Sequence, residues 1–296
     1  MKNIHERKNT LTRAVQSFLG TTLLLAGLVA NAAEEFCLSN SVRPFVVAQP
    51  NKAWGTNTEM LAEEAVNPSV PVAGAASEVF RFKTADNRCE ITINTTEASG
   101  LMDWANNKLA PALAEWYPKI VATMPSEGYT APEHFVITIK PMEGVAYTAG
   151  ADVVANSNWL KRELGGEAIG SLIHEAVHVV QQFHNGHNPG WLVEGSADYI
   201  RWFKYEPQSH GADMVWLRQH GKNFSPHYND SYRITANFLD WVSEKHDKDI
   251  VGQMNAAMRD GKYEDDLWQK YTGKTAPELG EEWQKEINAQ LSGKKN

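Results

Sequence analysis

The sequence contains no apolar run long enough to cross a lipid bilayer. Its best candidate, Phe18 to Ala30, has thirteen residues, whereas a transmembrane helix needs about 20. The run follows a basic segment, 1–17, and precedes the small residues Ala30-Asn31-Ala32, which together are typical of a signal peptide. We therefore predict a signal peptide over 1–32, a secreted or periplasmic mature chain, and no membrane contact after cleavage. An uncleaved anchor is the alternative.

An excess of basic residues is also lacking. The chain has 28 Lys and Arg against 36 Asp and Glu, and its formal net charge of −8 becomes about −11 once the leader is removed. Because nucleic-acid phosphates are bound by basic surfaces, we expect no nucleic-acid partner. A Gly-rich phosphate loop and a dinucleotide fingerprint are absent as well, so nucleotide chemistry is not indicated.

Cysteine is scarce, since Cys37 and Cys89 are the only two in the chain. Both follow the predicted cleavage site, and an oxidising compartment favours their pairing. We predict a Cys37–Cys89 disulfide with Cα atoms within about 7 Å of each other. Two separate thiols are the alternative.

One segment is rich in metal-ligand side chains: HEAVH at 174–178. His174 and His178 are four residues apart, so on a helix both imidazoles leave the same face and can share a metal ion. Glu175 lies about 100° further round, where it can hold a water on that metal as general base. Apolar residues recur here at spacings of three and four, which predicts a helix packed against a core. The pattern indicates a zinc peptidase centre.

A catalytic zinc ion usually has three protein ligands and one open position, so a second element must supply the third ligand. One candidate, His184, stands where the HExxHxxGxxH pattern of metzincins has its third histidine. The glycine at which that helix turns is Gln181 here, so we expect the helix to continue and His184 to point away. The other candidate is Glu194, on a second helix predicted to start near Pro189.

Glu194 and Asp198 are four residues apart on this second helix and therefore share one face. We predict Glu194 as the third ligand. Asp198, one turn further on, is predicted to accept the free N–H of a ligating histidine and so fix its tautomer. The predicted metal set is His174, His178 and Glu194, with Zn²⁺ as the cofactor.

HExxH followed by an EGxAD helix resembles the gluzincin arrangement, in which two histidines and a glutamate hold zinc. A narrower resemblance, over roughly residues 100–285, is to the basic secretory protein family of metallopeptidases, first named from plants. It is carried by GVAYTAGADVVANSNWL (144–160), HEAVHVVQ (174–181), PGWLVEGSADYIR (189–201), YRITANFLDWV (232–242) and the run 250–284. The present chain is acidic, so the family's name does not describe its charge.

The resemblance implies an α+β, zincin-like fold with a small N-terminal mixed sheet over the HExxH helix and a helical C-terminal half. Residue patterns predict strands at Arg43–Ala48, Glu78–Lys83, Glu90–Thr95, Phe135–Ile139, Val145–Thr148 and Asp152–Ala155. They predict helices at Leu101–Met124 with a break at Pro111, Tyr232–Glu244, Ile250–Met258, Asp265–Tyr271 and Pro277–Leu291. The expected organisation is a signal peptide (1–32), a β-rich segment (33–98), a catalytic domain (99–291) and a tail (292–296).

The implied activity is metal-assisted hydrolysis of a peptide or protein substrate that pairs with an edge strand of the sheet. Glu175 takes a proton from water and returns it to the leaving amine. A further donor must meet the oxyanion. Tyr232 is the candidate, because its placement resembles the tyrosine that begins a downstream helix in gluzincin aminopeptidases; Tyr199, Tyr228 and His227 are alternatives.

Two other functions are considered. A degenerate zincin would bind peptide or cell-wall polymer without cutting, but such proteins usually lose the general base and Glu175 is present. A structural protein in which HEAVH is a polar helix face would have to treat Glu194 and Asp198 as coincidences. Elemental analysis for zinc separates the structural protein from the others, and hydrolysis with and without a chelator separates the remaining two.

Overall fold

The computed structural model describes residues 78–183, 188–219, 225–230 and 232–293. The predicted signal peptide, the predicted strand at Arg43–Ala48, Cys37 and His184 lie outside the described residues. Leader cleavage and the Cys37–Cys89 disulfide therefore stay predictions, and Cys89 itself is buried in the core. Among the described residues, no helix combines the length and the apolar character that crossing a membrane requires.

Within the part of the chain that the structure describes, five strands form one mixed sheet in the order β1-β2-β3-β5-β4. They are β1 Val79–Lys83, β2 Glu90–Asn94, β3 His134–Lys140, β4 Ala146–Ala149 and β5 Asp152–Asn156. The three inner strands are parallel to one another, while β1 and β4 each pair antiparallel with a neighbour. The strands agree with the predicted ones, and the mixed α+β class is confirmed.

Alternating side chains explain why these residues form strands. In β3, Phe135, Ile137 and Ile139 are buried and the residues between them are half-buried, as the period of two in a strand requires. Strand β2 pairs with β3 along its whole length. The expected boundary at residue 98 is therefore corrected: both strands before it belong to the same sheet as the strands after it, through a pairing that spans an intervening helix.

Helices account for most of the remaining described chain. In order they are α1 Met102–Trp104, α2 Ala110–Thr123, α3 Ser157–Arg162, α4 Ala168–Gln181, α5 Gly190–Tyr199, α6 Met214–Gln219, α7 Tyr232–Lys245, α8 Ile250–Arg259, α9 Asp266–Thr272 and α10 Ala276–Leu291, with π-helical turns at Ala105–Leu109 and Ile200–Tyr205 and a 3₁₀ turn at Pro207–Ser209. No break occurs at Pro111, contrary to the prediction: the chain stays helical from Met102 to Thr123, and a π-helical turn, Ala105–Leu109, directly precedes α2.

Helix α4, which carries the HExxH motif, lies at the centre of the core. Its residues Leu172, Ile173, Val177 and Val180 are fully buried, and the helix contacts α2, α5 and the strands β4 and β5. A helix that is apolar on most of its faces is enclosed by its neighbours. The direction of the two histidines is consequently fixed by packing.

The C-terminal end of α4 differs from the prediction. The helix ends at Gln181, because Gln182 adopts the left-handed conformation (φ 45°, ψ 48°), so the expectation that it continues is wrong. A residue other than glycine costs roughly 1–2 kcal/mol there. Arg259 offsets that cost by donating to the carbonyl oxygens of Val180 and Gln181, each at 3.0 Å, which the helix end leaves without intrahelical partners. Its positive charge also faces the negative end of the helix dipole.

Two arginines, Arg201 and Arg233, bind the N-terminal end of α4 through Glu167. The Glu167 carboxylate accepts hydrogen bonds from Arg233 at 2.8 and 2.9 Å and from Arg201 at 2.9 Å. Burial alone would raise the pKa of Glu167, but the hydrogen bonds and charges of the two arginines lower it. Both ends of α4 are therefore bound to side chains that are distant in the sequence.

Candidate metal centre

Helices α4 and α5 bring three ligand atoms together. Nε2 of His174 and Nε2 of His178 are 3.1 Å apart, and each lies 3.2 Å from Oε2 of Glu194. Within the described residues, this trio forms a group of side chains able to hold a metal ion. The structure thus places the three predicted ligands around one point.

Gly195 allows α7 to lie close against the helix that carries Glu194. A Cβ at position 195 would lie 2.1 Å from Cγ2 and 2.6 Å from Cβ of Thr235, distances that carbon atoms do not adopt. The glycine of the EGxAD motif therefore allows α5 and α7 to pack closely. Tyr232, at the start of α7, is brought towards the ligands by this packing.

Two side chains fix the tautomers of the histidines. Oδ1 of Asp198 lies 2.7 Å from Nδ1 of His174, as predicted from their spacing, and Oε1 of Gln181 lies 2.6 Å from Nδ1 of His178. The amide orientation of Gln181 follows from its Nε2, which donates to the carbonyl oxygen of Val193 at 3.0 Å. Both acceptors require an N–H on Nδ1, so in the neutral rings both Nε2 atoms carry a lone pair.

The donor set fits a zinc ion. Two imidazole lone pairs and a carboxylate oxygen face one another at 3.1 to 3.2 Å, and such acceptors repel each other unless a cation lies between them. In a tetrahedral zinc site with bonds of about 2.0–2.1 Å, neighbouring ligand atoms are roughly 3.3 Å apart. The observed spacing is close to that value.

The pKa shifts of His174, His178 and Glu194 also indicate that positive charge is stabilised between these side chains. Burial disfavours the charged form of His174, but the hydrogen bonds and charges of Asp198 and Glu194 outweigh it and raise the pKa of His174 to about 10. Burial likewise opposes protonation of His178, whose pKa Glu194 nevertheless raises. Burial would raise the pKa of Glu194, yet the two histidines lower it. A proton and a metal ion would therefore compete for these atoms.

Glu175, the predicted base, is buried beside the predicted ligand His174 on α4. Its Oε2 accepts a hydrogen bond of 2.7 Å from the hydroxyl of Thr148 on β4, and the same hydroxyl lies 3.1 Å from the carbonyl oxygen of Glu175. The carboxylate is thus held by the sheet as well as by its own helix.

Tyr232 is the first residue of α7, and its ring centroid lies 6.4 Å from that of His174. Burial, followed by the charges of Glu194 and Asp198, raises the pKa of the Tyr232 hydroxyl. The hydroxyl therefore keeps its proton at neutral pH and can act as a donor. Half of the residue's surface remains exposed (50%), so a substrate can reach it.

The structure places the three alternative donors in other settings. Tyr199 is buried in the core and stacks on Phe203. Tyr228 packs against Trp191 within an aromatic cluster, and His227 is exposed and contacts Asp230. Tyr232 is therefore the best-placed candidate of the four.

Sequence reasoning missed two residues of this site. The sequence pattern identifies Gln181 only as the residue that replaces a metzincin glycine, although it lies three residues after His178 and so shares a helix face with it. Thr148 gave no signal, because its contact with Glu175 spans 27 residues and depends on where β4 lies against α4.

The fold and the site define an α+β protein in which two histidines and one glutamate form a group able to hold a metal ion, with a second carboxylate beside it. The family model BSP, described as "Peptidase of plants and bacteria", matches residues 94–283. The chain belongs to this family, and the resemblance to the basic secretory protein family is confirmed. The matched segment contains all residues of the candidate metal centre. A search of curated proteins finds no match.

Similar solved structures share little sequence with this chain. A mutant of a two-domain M1 zinc metallopeptidase bound to L-tryptophan is 12% identical, with a TM-score of 0.44, and the alignment covers 69% of this chain and 51% of that one. The M1 zinc metallopeptidase from Deinococcus radiodurans is 14% identical, with a TM-score of 0.41 and coverages of 70% and 48%. This chain spans about half the length of these structures. The family assignment rests on the sequence match.

Proposed function

We propose that this protein is a zinc-dependent peptidase in which His174, His178 and Glu194 hold the metal and Glu175 is the general base. The observation that carries the proposal is the convergence of two imidazole lone pairs and a carboxylate oxygen within 3.2 Å. Membership of a peptidase family supports a peptide as substrate. A bound zinc ion supplies Lewis acidity, which polarises a carbonyl group and makes water more acidic.

The protein's own residues would direct the proton transfers. Glu175 accepts a proton from the water whose oxygen attacks the carbonyl carbon, and it delivers this proton to the leaving nitrogen as the C–N bond breaks. Tyr232 donates a hydrogen bond to the carbonyl oxygen as negative charge develops on it. Asp198 and Gln181 keep the histidine tautomers that leave Nε2 free for the metal.

An extended peptide would bind along β4, which forms one edge of the described sheet while β1 forms the other. An edge strand presents backbone donors and acceptors that an added strand can pair with. Because β4 also contacts α4, a peptide paired there would lie near the metal ligands. We further propose that the protein acts outside the cytoplasm, on the basis of the leader-like residues 1–32; N-terminal sequencing of exported protein tests this.

The test combines metal analysis with activity. The purified protein should contain one zinc ion per chain, hydrolyse casein, lose activity with a chelator and regain it with added zinc. Glu175→Gln should keep zinc but lose about 10²–10⁴ in turnover, since only the base is removed. Glu281→Gln, an exposed change on α10, is the matched control. Activity that survives chelation would refute the proposal, and zinc binding without hydrolysis would favour the degenerate, peptide-binding alternative.

A further inference from the structure

Thr148 reaches the Glu175 carboxylate from the sheet rather than from the metal helix. Its hydroxyl lies 2.7 Å from Oε2 of Glu175 and 3.1 Å from the carbonyl oxygen of the same residue. A hydroxyl has one proton to donate, and the shorter distance together with the charge of the carboxylate favours Oε2. This bond engages one carboxylate oxygen and leaves the other to accept a proton from water.

The position of this hydroxyl is fixed by the sheet. Along β4, Ala146 and Thr148 are half-buried while Tyr147 and Ala149 are exposed, so Thr148 points to the side of the sheet that α4 covers. Thr148 pairs with the buried Val153 of β5. Its branched Cβ also restricts rotation about χ1. The donor is therefore rigid, unlike a long side chain at the surface.

A buried carboxylate that acts as a base needs such a fixed donor. Proton transfer requires the accepting oxygen to lie within about 2.6–3.2 Å of the water. Without the hydroxyl, Oε2 of Glu175 would lose its partner in a buried setting, and the side chain would gain the freedom to turn towards another one. A displacement of about 1 Å can cost on the order of 100-fold in rate.

We propose that Thr148 is a positioning residue that orients the Glu175 carboxylate for proton transfer. The inference rests on the proposed function, because it takes Glu175 as the general base. It also connects the edge strand on which the substrate is proposed to bind with the group that activates water. Strand β4 would then set the position of both the bound peptide and the Glu175 carboxylate.

The test compares two substitutions at one position with a control on β3, which β5 separates from β4 in the sheet. Thr148→Val keeps the shape and removes the hydroxyl, Thr148→Ser keeps the hydroxyl and removes the methyl group, and Thr138→Val on β3 makes the same chemical change elsewhere in the sheet. With zinc bound, Thr148→Val should lower kcat about 10- to 100-fold while KM and zinc content stay unchanged. Thr148→Ser should retain most of the activity, and Thr138→Val should match the wild type.

A second measurement does not depend on activity. Crystal structures of the Thr148→Val protein, with and without zinc, should show the Glu175 carboxylate rotated from its wild-type position. If Thr148→Val does not fold, Thr148→Ala removes the same hydroxyl and takes its place.

Several outcomes would overturn the inference. They are a wild-type kcat in Thr148→Val, a change confined to KM, Thr148→Ser as slow as Thr148→Val, and an unmoved carboxylate. These results differ from a failure of the proposed function, which would appear as chelator-resistant activity or as full activity in Glu175→Gln.

Discussion

Replacing Gly195 with alanine should push α5 and α7 apart at the metal centre. The added Cβ would lie 2.1 Å from Cγ2 and 2.6 Å from Cβ of Thr235, whereas carbon atoms in contact are about 3.5–4.0 Å apart. Thr235 is fully buried, and its hydroxyl donates to the carbonyl oxygen of Tyr228 at 2.9 Å, so it cannot rotate away without losing that bond. The helices must therefore separate by on the order of 1 Å.

The expected effect on stability is small and the effect on turnover is large. Overpacking lowers the free energy of unfolding by about 1–3 kcal/mol. The better helix propensity of alanine raises it by about 0.8–1 kcal/mol, so the net decrease should be roughly 0–2 kcal/mol. Tyr232 lies one turn before Thr235, so it moves with α7. A shift of about 1 Å at a reacting group can lower kcat on the order of 100-fold.

Thermal unfolding and steady-state hydrolysis of a fluorogenic peptide measure the two effects. Gly190→Ala is the matched control, because it lies on the same helix and its Cβ would meet no atom within 4 Å. Adding Thr235→Ser to Gly195→Ala removes the nearer clash and keeps the hydroxyl, so part of the activity should return. Wild-type kcat in Gly195→Ala, or an equal loss in Gly190→Ala, would refute the reasoning.

Three further predictions concern the third ligand, the acceptor beside His178 and one half-buried acid. Glu194→Ala should abolish tight zinc binding and His184→Ala should leave it nearly unchanged in competition with a chelator; the reverse order would refute the assignment of the third ligand. Gln181→Met should weaken zinc binding about 10- to 100-fold, because the N–H of His178 loses its acceptor, and an unaltered affinity would exclude that role. Asp240→Asn should raise the unfolding temperature more at about pH 8 than at about pH 4. Burial and the charge of Glu244 raise the pKa of Asp240 to about 6, so the folded state binds the proton more tightly and the stability contributed by Asp240 falls as the pH rises through this range. Equal shifts at both pH values would contradict this account.

The parts of the site that depend on helical spacing could be predicted from the sequence. His174 and His178 share a face because of a four-residue interval, and the same interval related Glu194 to Asp198. The local signals were strong enough to indicate which side chains meet. They also indicated that α5 begins near Pro189, which is its N-terminal cap.

The parts that depend on distant residues could not be predicted. The end of α4 at Gln181 follows from Arg259, 78 residues further along the chain, so the local sequence gave no reason for a turn there. The pairing of β2 with β3 across α2 placed residues before 98 in the main sheet. Such contacts depend on tertiary packing, which residue patterns along one element do not report.

The contacts of Arg233 and Arg259 with the ends of α4 have a consequence for the order in which the protein is assembled. His174 and Asp198 are separated by 24 residues, so the ligands leave the ribosome almost together. Arg233, however, follows Glu167 by 66 residues, and Arg259 follows Gln181 by 78. A nascent chain that ends between Arg201 and Arg233 has every proposed metal ligand and the Arg201–Glu167 contact, but it lacks the contacts of Arg233 and Arg259. Because long-range contacts form only after the chain that joins them is complete, we expect the proposed metal centre to become rigid late in synthesis and zinc to bind at full strength only to a chain that extends to Arg259.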